Sequence, residues 1–332
     1  MIRMKTLVTG GAGYIGGTVV RQLLQAGHHV TVYDNLGHGK RENVPAGVPL
    51  LVGDVSDSAR LNELFSKEKF DAVLHFAALI EAGESVLHPE KFFSNNTAAT
   101  LTLLNAMAAH KIPRFVFSST AAVYGNPDAT PIPETAKLAP VNPYGESKLR
   151  VEQALPDFRE QYGLRYAVLR YFNVAGALLL ENGKADYGEQ HEPESHLIPI
   201  LLDVALGLRS SIKIYGTGYP TSDGTCIRDY IHVADIGRAH LLALAALDTK
   251  DTLLYNLGNG RGFSVREVIE AVRRVTGHPI PAIEEPRRPG DPAILVADAT
   301  KIAAELGWQP QAAKLDEIIA SAWIWHQHRF GK

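Results

Sequence analysis

The chain has 332 residues, a formal net charge of -3 and a pI near 6.5, with 45% hydrophobic and 21% charged residues. That length suits one large α/β domain or two lobes sharing a core, and the near-neutral charge excludes a general nucleic-acid binder. A single cysteine, Cys226, excludes an intrachain disulfide and a cysteine metal cluster. There is neither a leader-like start nor an apolar run of about 18 residues, so a cytoplasmic protein that does not enter a membrane is expected.

In chain order, Thr6 to Val8 predicts a strand, Gly16 to Gln25 a helix, and Val30 to Tyr33 a second strand. Leu50 to Val52 follows as a strand, Ala59 to Glu68 as a helix and Ala72 to Phe76 as a strand. Asn96 to His110 has helical periodicity, Arg114 to Ser118 and Tyr166 to Tyr171 are strand-like, and Tyr144 to Lys148 sits on a helix between them. Strand and helix alternating in this way imply right-handed crossovers and a parallel sheet covered on both faces. After Val174 the rhythm changes. Ala177 to Pro193, rich in Gly, Glu and His, is expected to be a loop over a cleft. Pro199 to Leu208 and Ala234 to Leu247 predict helices, and Ile212 to Tyr215 a strand. Gly216 to Arg228 is expected to be a loop, β-like pieces lie near Leu254 to Leu257 and Ile283, and a basic loop runs from Arg287 to Asp291.

Thr9-Gly10-Gly11-Ala12-Gly13-Tyr14-Ile15-Gly16 lies between the first strand and the first helix. Glycines there permit a tight turn and let backbone N–H groups approach a pyrophosphate at a positive helix end, although such a turn alone is equally a plain β–α connection. The second strand ends at Asp34, where a carboxylate bonds adenosine ribose hydroxyls and repels a 2′-phosphate, favouring NAD over NADP. Lys40 and Arg41 could instead hold that phosphate. Asp54, after the third strand, stands where an adenine edge would lie, or is simply a helix N-cap.

Tyr144 and Lys148 stand at i and i+4, so on a helix both rise from one face. A phenol with an ordinary pKa near 10 is a poor base at neutral pH. A neighbouring ammonium and the positive nicotinamide ring of an oxidised cofactor are expected to lower that pKa. Upstream, Phe117 to Gly125 leaves its strand carrying the hydroxyls of Ser118, Ser119 and Thr120 at the end where parallel sheets bind ligands. Thr120 suits a relay for a sugar's proton.

The ordered set resembles the extended short-chain dehydrogenase/reductase family over essentially the whole chain, and within it the enzymes that invert the C4 hydroxyl of UDP-hexoses. The matching stretches are Thr9 to Gly16, Tyr33 to Asn35, His75 to Ala78, Gly83 to Ser85, Asn95-Asn96, Ser118 to Gly125, Pro143 to Lys148 and Leu169 to Asn173. Further on come Tyr219 to His232, Tyr255 to Gly258 and Arg287 to Asp291. The resemblance implies a Rossmann-like, doubly wound parallel sheet with a smaller C-terminal substrate-binding lobe. Residues 1–174 would bind NAD, and 175–332 would mainly bind the nucleotide-sugar, with some segments returning to the main sheet. It implies Tyr144 as general base, Lys148 tuning it, and Thr120 supporting proton transfer through a 4-keto sugar. It fills out the cofactor set as Gly10, Gly13, Tyr14, Ile15, Gly16, Asp34, Asn35, Asp54, Val55, Phe76, Ala77, Ala78, Asn95, Ser118 and Tyr171, with Tyr144 and Lys148. Thr120, Tyr144, Asn173, His196, Leu197, Arg228, Arg288 and Asp291 would hold the UDP-sugar; the arginines suit a diphosphate, which a planar guanidinium meets with two hydrogen bonds.

Two departures stand out. Ile80-Glu81 replaces a cofactor-contacting lysine, and Leu295 falls where a tyrosine narrows the sugar pocket in some members, leaving room for a 2-acetamido group. Ala121 and Ala122 follow Thr120 where a dehydratase of this scaffold needs an acid and a base, which removes that reading. A UDP-glucuronate epimerase and a non-catalytic NAD-binding sensor remain as alternatives. The family pattern also implies a homodimer packed through helices near 96–110 and 148–162.

Overall fold

The computed structural model describes residues 3–288 and 291–331. The first half runs β1 (Lys5–Thr9), α1 (Tyr14–Gln25), β2 (His29–Asp34), β3 (Leu50–Val52), α2 (Ser58–Lys67) and β4 (Ala72–His75). Then come α3 (Ala82–Leu87), α4 (Pro89–Phe92), a π-helical turn (Phe93–Ala98), α5 (Ala99–Ala109), β5 (Arg114–Thr120), α6 (Pro143–Tyr162) and β6 (Arg165–Tyr171). The second half carries β7 (Asn173–Ala175), β8 (Ala177–Leu179), β9 (Ala185–Gly188), α7 (Leu197–Ala205), β10 (Ile212–Tyr215), β11 (Ile227–His232) and α8 (Val233–Ala246). It ends with β12 (Thr252–Leu257), β13 (Gly262–Ser264), α9 (Val265–Thr276), β14 (Ala282–Glu285), β15 (Ile294–Leu295), α10 (Thr300–Leu306) and α11 (Leu315–Arg329).

Seven strands form one sheet in the order β12-β6-β5-β4-β1-β2-β3, and every pair in it is parallel. Successive strand side chains face opposite ways, which divides the core. Val8, Val116 and Leu169 pack with Val19, Val20, Ile236 and Ala239 of α1 and α8. Leu7, Phe115, Phe117 and Val168 pack with α2, α5 and α6 through Leu61, Leu104, Met107 and Val151. Strands buried on both faces are apolar almost without interruption, as Phe115-Val116-Phe117 shows. The order in which strands are added reverses between β1 and β4, and the crevice beyond their C-terminal ends is where open α/β sheets bind ligands. A second core, built from α7, α9, α11 and β10 with Tyr230 and Phe263, forms the smaller lobe.

The parallel doubly wound sheet follows the expectation, but three local assignments need correcting. Ala177 to Pro193 is not all loop: β8 and β9 pair as an antiparallel hairpin with a bulge at Leu178/Leu179. The hydroxyl of Tyr187 on β9 donates to Gly13 O at 2.9 Å, and the Arg21 guanidinium lies 4.0 Å from its ring. Asn96 to Ala98 belong to the π-helical turn and not to α5. That widened turn lets the Asn96 amide accept from Leu79 N at 2.8 Å and donate to Leu79 O and Ser147 Oγ, tying the end of β4 to the helix of Tyr144. Gly216 to Arg228 runs into β11 at Ile227.

Asp235, buried in the first turn of α8, fastens the C-terminal segment. Its carboxylate accepts from Gln311 N and Ala312 N at 3.1 Å and pairs with Arg238, while its carbonyl takes the Trp308 indole N–H at 3.0 Å. Asp235→Ala removes the partner of two part-buried N–H groups and leaves the Arg238 guanidinium only its bond to Gln309 O, so the unfolding free energy should fall by about 1–3 kcal/mol. Urea denaturation of the whole chain checks this; an unchanged midpoint would show these bonds to be dispensable.

Candidate active site

A cavity of about 820 Å³ opens over the C-terminal ends of the sheet strands and reaches the smaller lobe. One end is the glycine turn. Gly10 has φ +73°, and a Cβ there would lie 2.5 Å from Ala77 N, while a Cβ on Gly16 would lie 2.2 Å from Gly10 O. Only glycine fits both places. At Gly13 a Cβ would meet nothing closer than Gly10 O at 3.4 Å, and no side chain caps α1. The first-turn N–H groups and the positive helix end are therefore available to an anion.

Asp34 ends β2 with both oxygens anchored, accepting from Ala12 N at 3.0 Å and Leu36 N at 2.8 Å. Burial nonetheless raises its pKa. An ionised carboxylate has about four acceptor positions, so two remain for ribose hydroxyls. Lys40, a possible partner for a 2′-phosphate, is instead paired with Glu192 at 2.9 Å. Asn35 donates to Asp54 at 2.8 Å. Burial pushes the Asp54 carboxyl up, but hydrogen bonds from Ser56 and Asn35 outweigh it and leave the pKa below its ordinary value. Val55, Phe76, Ala77, Ala78 and Asn95 line the same wall.

Thr120, Tyr144 and Lys148 stand midway along. Asn142 caps α6 by accepting from Gly145 N at 2.9 Å, which starts the helix so that Tyr144 lies in its first turn. Thr120 ends β5, with its hydroxyl accepting from Ala122 N at 3.1 Å. Lys148 donates to Ser118 O at 3.0 Å, and its Nζ lies 5.0 Å from the Phe117 ring. Burial drives the Lys148 pKa down to about 7 against the pull of Glu152. Burial also raises the Tyr144 phenol; a hydrogen bond with Thr120 opposes this and the Glu81 carboxylate adds to it. Among the chain's own groups, desolvation prevails over the Thr120 hydrogen bond. His75, between Thr9 and Thr100, is pushed down to about 3 by burial and by Lys148, so it is a neutral ring behind the site.

Tyr171 lines the cavity with its hydroxyl 2.5 Å from His240 Nε2. Asn173, His196, Leu197, Arg228 and Asp291 form the far wall together with Leu295. Arg228 donates to Ile227 O at 2.9 Å and approaches Asp291 to 3.9 Å. The Arg288 guanidinium stacks 3.7 Å from the Tyr215 ring. Three wall residues that sequence reasoning missed are Glu189, Gln190 and His191. His196 Nδ1 lies 2.7 Å from Glu189, and the carboxylates of Glu189 and Glu194 hold its imidazole charged despite burial. The alternation Glu189-x-His191-x-x-Glu194-x-His196 was the available signal.

The model of the NAD dependent epimerase/dehydratase family matches residues 6–258, and the chain belongs to that family. It is 51% identical over 323 residues to a UDP-glucose 4-epimerase of Streptomyces lividans, covering 97% of this chain and 96% of the relative. The solved UDP-glucose 4-epimerase of Bifidobacterium longum in complex with NAD+ and UDP superposes with a TM-score of 0.92 at 39% identity, covering 98% of each chain. The UDP-Glc/GlcNAc 4-epimerase of Campylobacter jejuni superposes at 0.84 and 42%, covering 98% of this chain and 99% of its own.

Lys148 gives a test of the electrostatics. Its folded pKa of about 7 lies below the ordinary 10.5. The unfolded chain therefore binds more protons between those values, and this group makes stability rise with pH across that window. Below about pH 7 its destabilisation is complete. Lys148→Met, measured without added ligand, should melt at least about 2 °C higher than wild type near pH 6, with the gap closing toward pH 10. A variant that melts lower at every pH would contradict the assignment.

Proposed function

We propose that the chain is an NAD-dependent isomerase that inverts the C4 hydroxyl of UDP-hexoses, interconverting UDP-galactose and UDP-glucose in galactose metabolism. One observation carries the reading: Thr120, Tyr144 and Lys148 stand in a single cavity between a glycine turn suited to a pyrophosphate and a wall bearing Arg228 and Asp291. The glycine turn, Asp34 and Asp54 hold NAD, while Asn173, His196, Leu197, Arg228, Arg288 and Asp291 hold the UDP-sugar. When bound, NAD supplies a reversible hydride acceptor and a positive ring. Thr120 orients the C4 hydroxyl toward the Tyr144 phenolate, which takes the proton and becomes the phenol as the C4–H bond breaks, and which returns that proton once the other face of the 4-keto sugar is presented. Lys148, protonated, stabilises the phenolate and bonds the nicotinamide ribose. Ala121 and Ala122 beside Thr120 carry no proton, so the keto sugar is not diverted to elimination.

The reading extends to residues 1–174 as the cofactor-binding unit and 175–332 as mainly the sugar-nucleotide unit, and to a cytoplasmic homodimer packed through α5 and α6. Light scattering of the purified chain decides the dimer. Among the described residues no helix is long and apolar enough to cross a membrane.

Incubation with UDP-galactose and no added cofactor should give UDP-glucose with no net absorbance gain at about 340 nm. Tyr144→Phe should lower kcat by about 10²–10⁴. Equal conversion by the variant would remove Tyr144 from its role.

Leu295 on the cavity wall favours a wider substrate range. A relative that shares 42% of its residues is named for both UDP-Glc and GlcNAc. Leu295→Tyr should lower kcat/KM for UDP-GalNAc at least about tenfold while changing that for UDP-galactose less than threefold. Parallel losses on both sugars would show that this position does not discriminate.

A further inference from the structure

Tyr144, Lys148 and Glu152 follow one another at four-residue steps, so they form one stripe along α6. The stripe faces three consecutive residues at the end of β5. Thr120 hydrogen-bonds Tyr144, Ser118 O accepts from Lys148 at 3.0 Å, and the Ser119 hydroxyl donates to Glu152 at 2.5 Å. Behind the stripe, Arg170 of β6 grips both Glu152 oxygens, with Nη2 to Oε2 at 2.6 Å and Nε to Oε1 at 3.1 Å. The same guanidinium donates to the Tyr124 hydroxyl at 2.8 Å, and that hydroxyl donates to Asn256 of β12 at 2.7 Å. The side chains of Arg170 and Glu152 are only 3% and 8% exposed.

We propose that Glu152 is a positioning residue for the reaction: bound to Ser119 and Arg170, it sets the register of α6 on β5 and presents a buried negative charge to Lys148. This rests on the functional reading above. A buried ion pair is a poor way to gain stability, since apolar residues of similar volume often do as well, so the geometry points to a role beyond holding the fold. The groups facing Lys148 make its charge state depend on Glu152. His75 from β4 is neutral, Phe117 of β5 offers a ring face, Tyr144 and Tyr171 are phenols raised by burial, and Arg170 lies beyond Glu152. Glu152 is the neighbour that favours the lysine's proton. Glu81 acts on Tyr144 and works against the phenolate.

The test uses Glu152→Gln together with Glu152→Gln/Arg170→Gln, the latter because the single change strands a buried guanidinium. Lys148 is titrated in the whole chain by NMR of 13C-labelled lysine side chains, its signal assigned by its loss in Lys148→Met. The kcat for UDP-galactose is followed from pH 6 to 10. Both variants should lower the Lys148 titration and the basic limb of kcat by about one pH unit. That is an approximately tenfold loss of kcat near pH 9, with KM changed less than about twofold. A Lys148 titration and pH profile that superimpose on wild type after scaling overturn the proposal and leave Glu152 a structural residue. If the wild-type chain does not convert UDP-galactose, the functional reading fails, and the NMR titration alone decides for or against Glu152.

Discussion

The close approach of two strand ends governs how this cavity is built. β1 and β4 lie side by side, and the chain leaving β1 must turn before it strikes the chain leaving β4. Gly10 meets that demand with φ +73° and with no side chain, where a Cβ would sit 2.5 Å from Ala77 N. The turn points α1 across the crevice, so its uncapped first turn faces the space above the sheet. Other contacts then lean on the turn. Ala12 N reaches the Asp34 carboxylate, and Gly13 O accepts from Tyr187 of the smaller lobe. The Tyr14 hydroxyl donates to Gly176 O at 2.6 Å, just ahead of the hairpin. Three consecutive residues, Ala12, Gly13 and Tyr14, thus join the sheet, the Asp34 carboxylate and the second lobe.

Where the chemistry depends on local spacing, it was legible in the sequence. Glycines three apart after an apolar run, and a tyrosine and lysine four apart, need no knowledge of distant partners, and both stand where the pattern placed them. What stayed hidden depends on contacts made across the fold. The π-helical turn at Phe93–Ala98 exists to aim Asn96 at Leu79 and Ser147, 17 and 51 residues away, and helical periodicity carries no trace of it. The hairpin Ala177–Gly188 has strands of three and four residues and a bulge, too short for alternation to register. It is held by contacts made far along the chain, Tyr187 against the glycine turn and against Trp325 of α11. The helix α9 did carry a signal: Ser264 and Glu267 form a capping box and Gly277 closes the far end. At Arg288 a motif match carries no trace of the aromatic neighbour, Tyr215, on which the guanidinium stacks.

The weight of burial against charge at the tyrosine is not legible in a sequence. From the residues alone, Lys148 and the positive ring of an oxidised cofactor are together expected to acidify the phenol. In the folded chain both groups are buried, and burial acts on each alone, raising the phenol and lowering the lysine. Each shift favours the neutral form. The proposed reaction uses the opposite assignment, phenolate beside ammonium, and that state needs further charge in the neighbourhood. A positive ring over the tyrosine and a carboxylate below the lysine are the two additions of the right sign.

This gives the arrangement along α6 a physical order. The tyrosine must face the cavity, where a substrate hydroxyl and a positive cofactor ring can reach it. The carboxylate must be kept from both, because a negative charge there would raise the phenol further, as Glu81 already does. Two helical turns place Glu152 about 12 Å along the axis from Tyr144, while Lys148 lies between them about 6 Å from each. Coulomb energy falls with distance, so the carboxylate acts on the lysine more strongly than on the phenol. Arg170 then balances Glu152 on the side away from the cavity, which keeps the site's negative charge local. A four-residue step along one helix thereby sorts opposite charges to the two groups that need them.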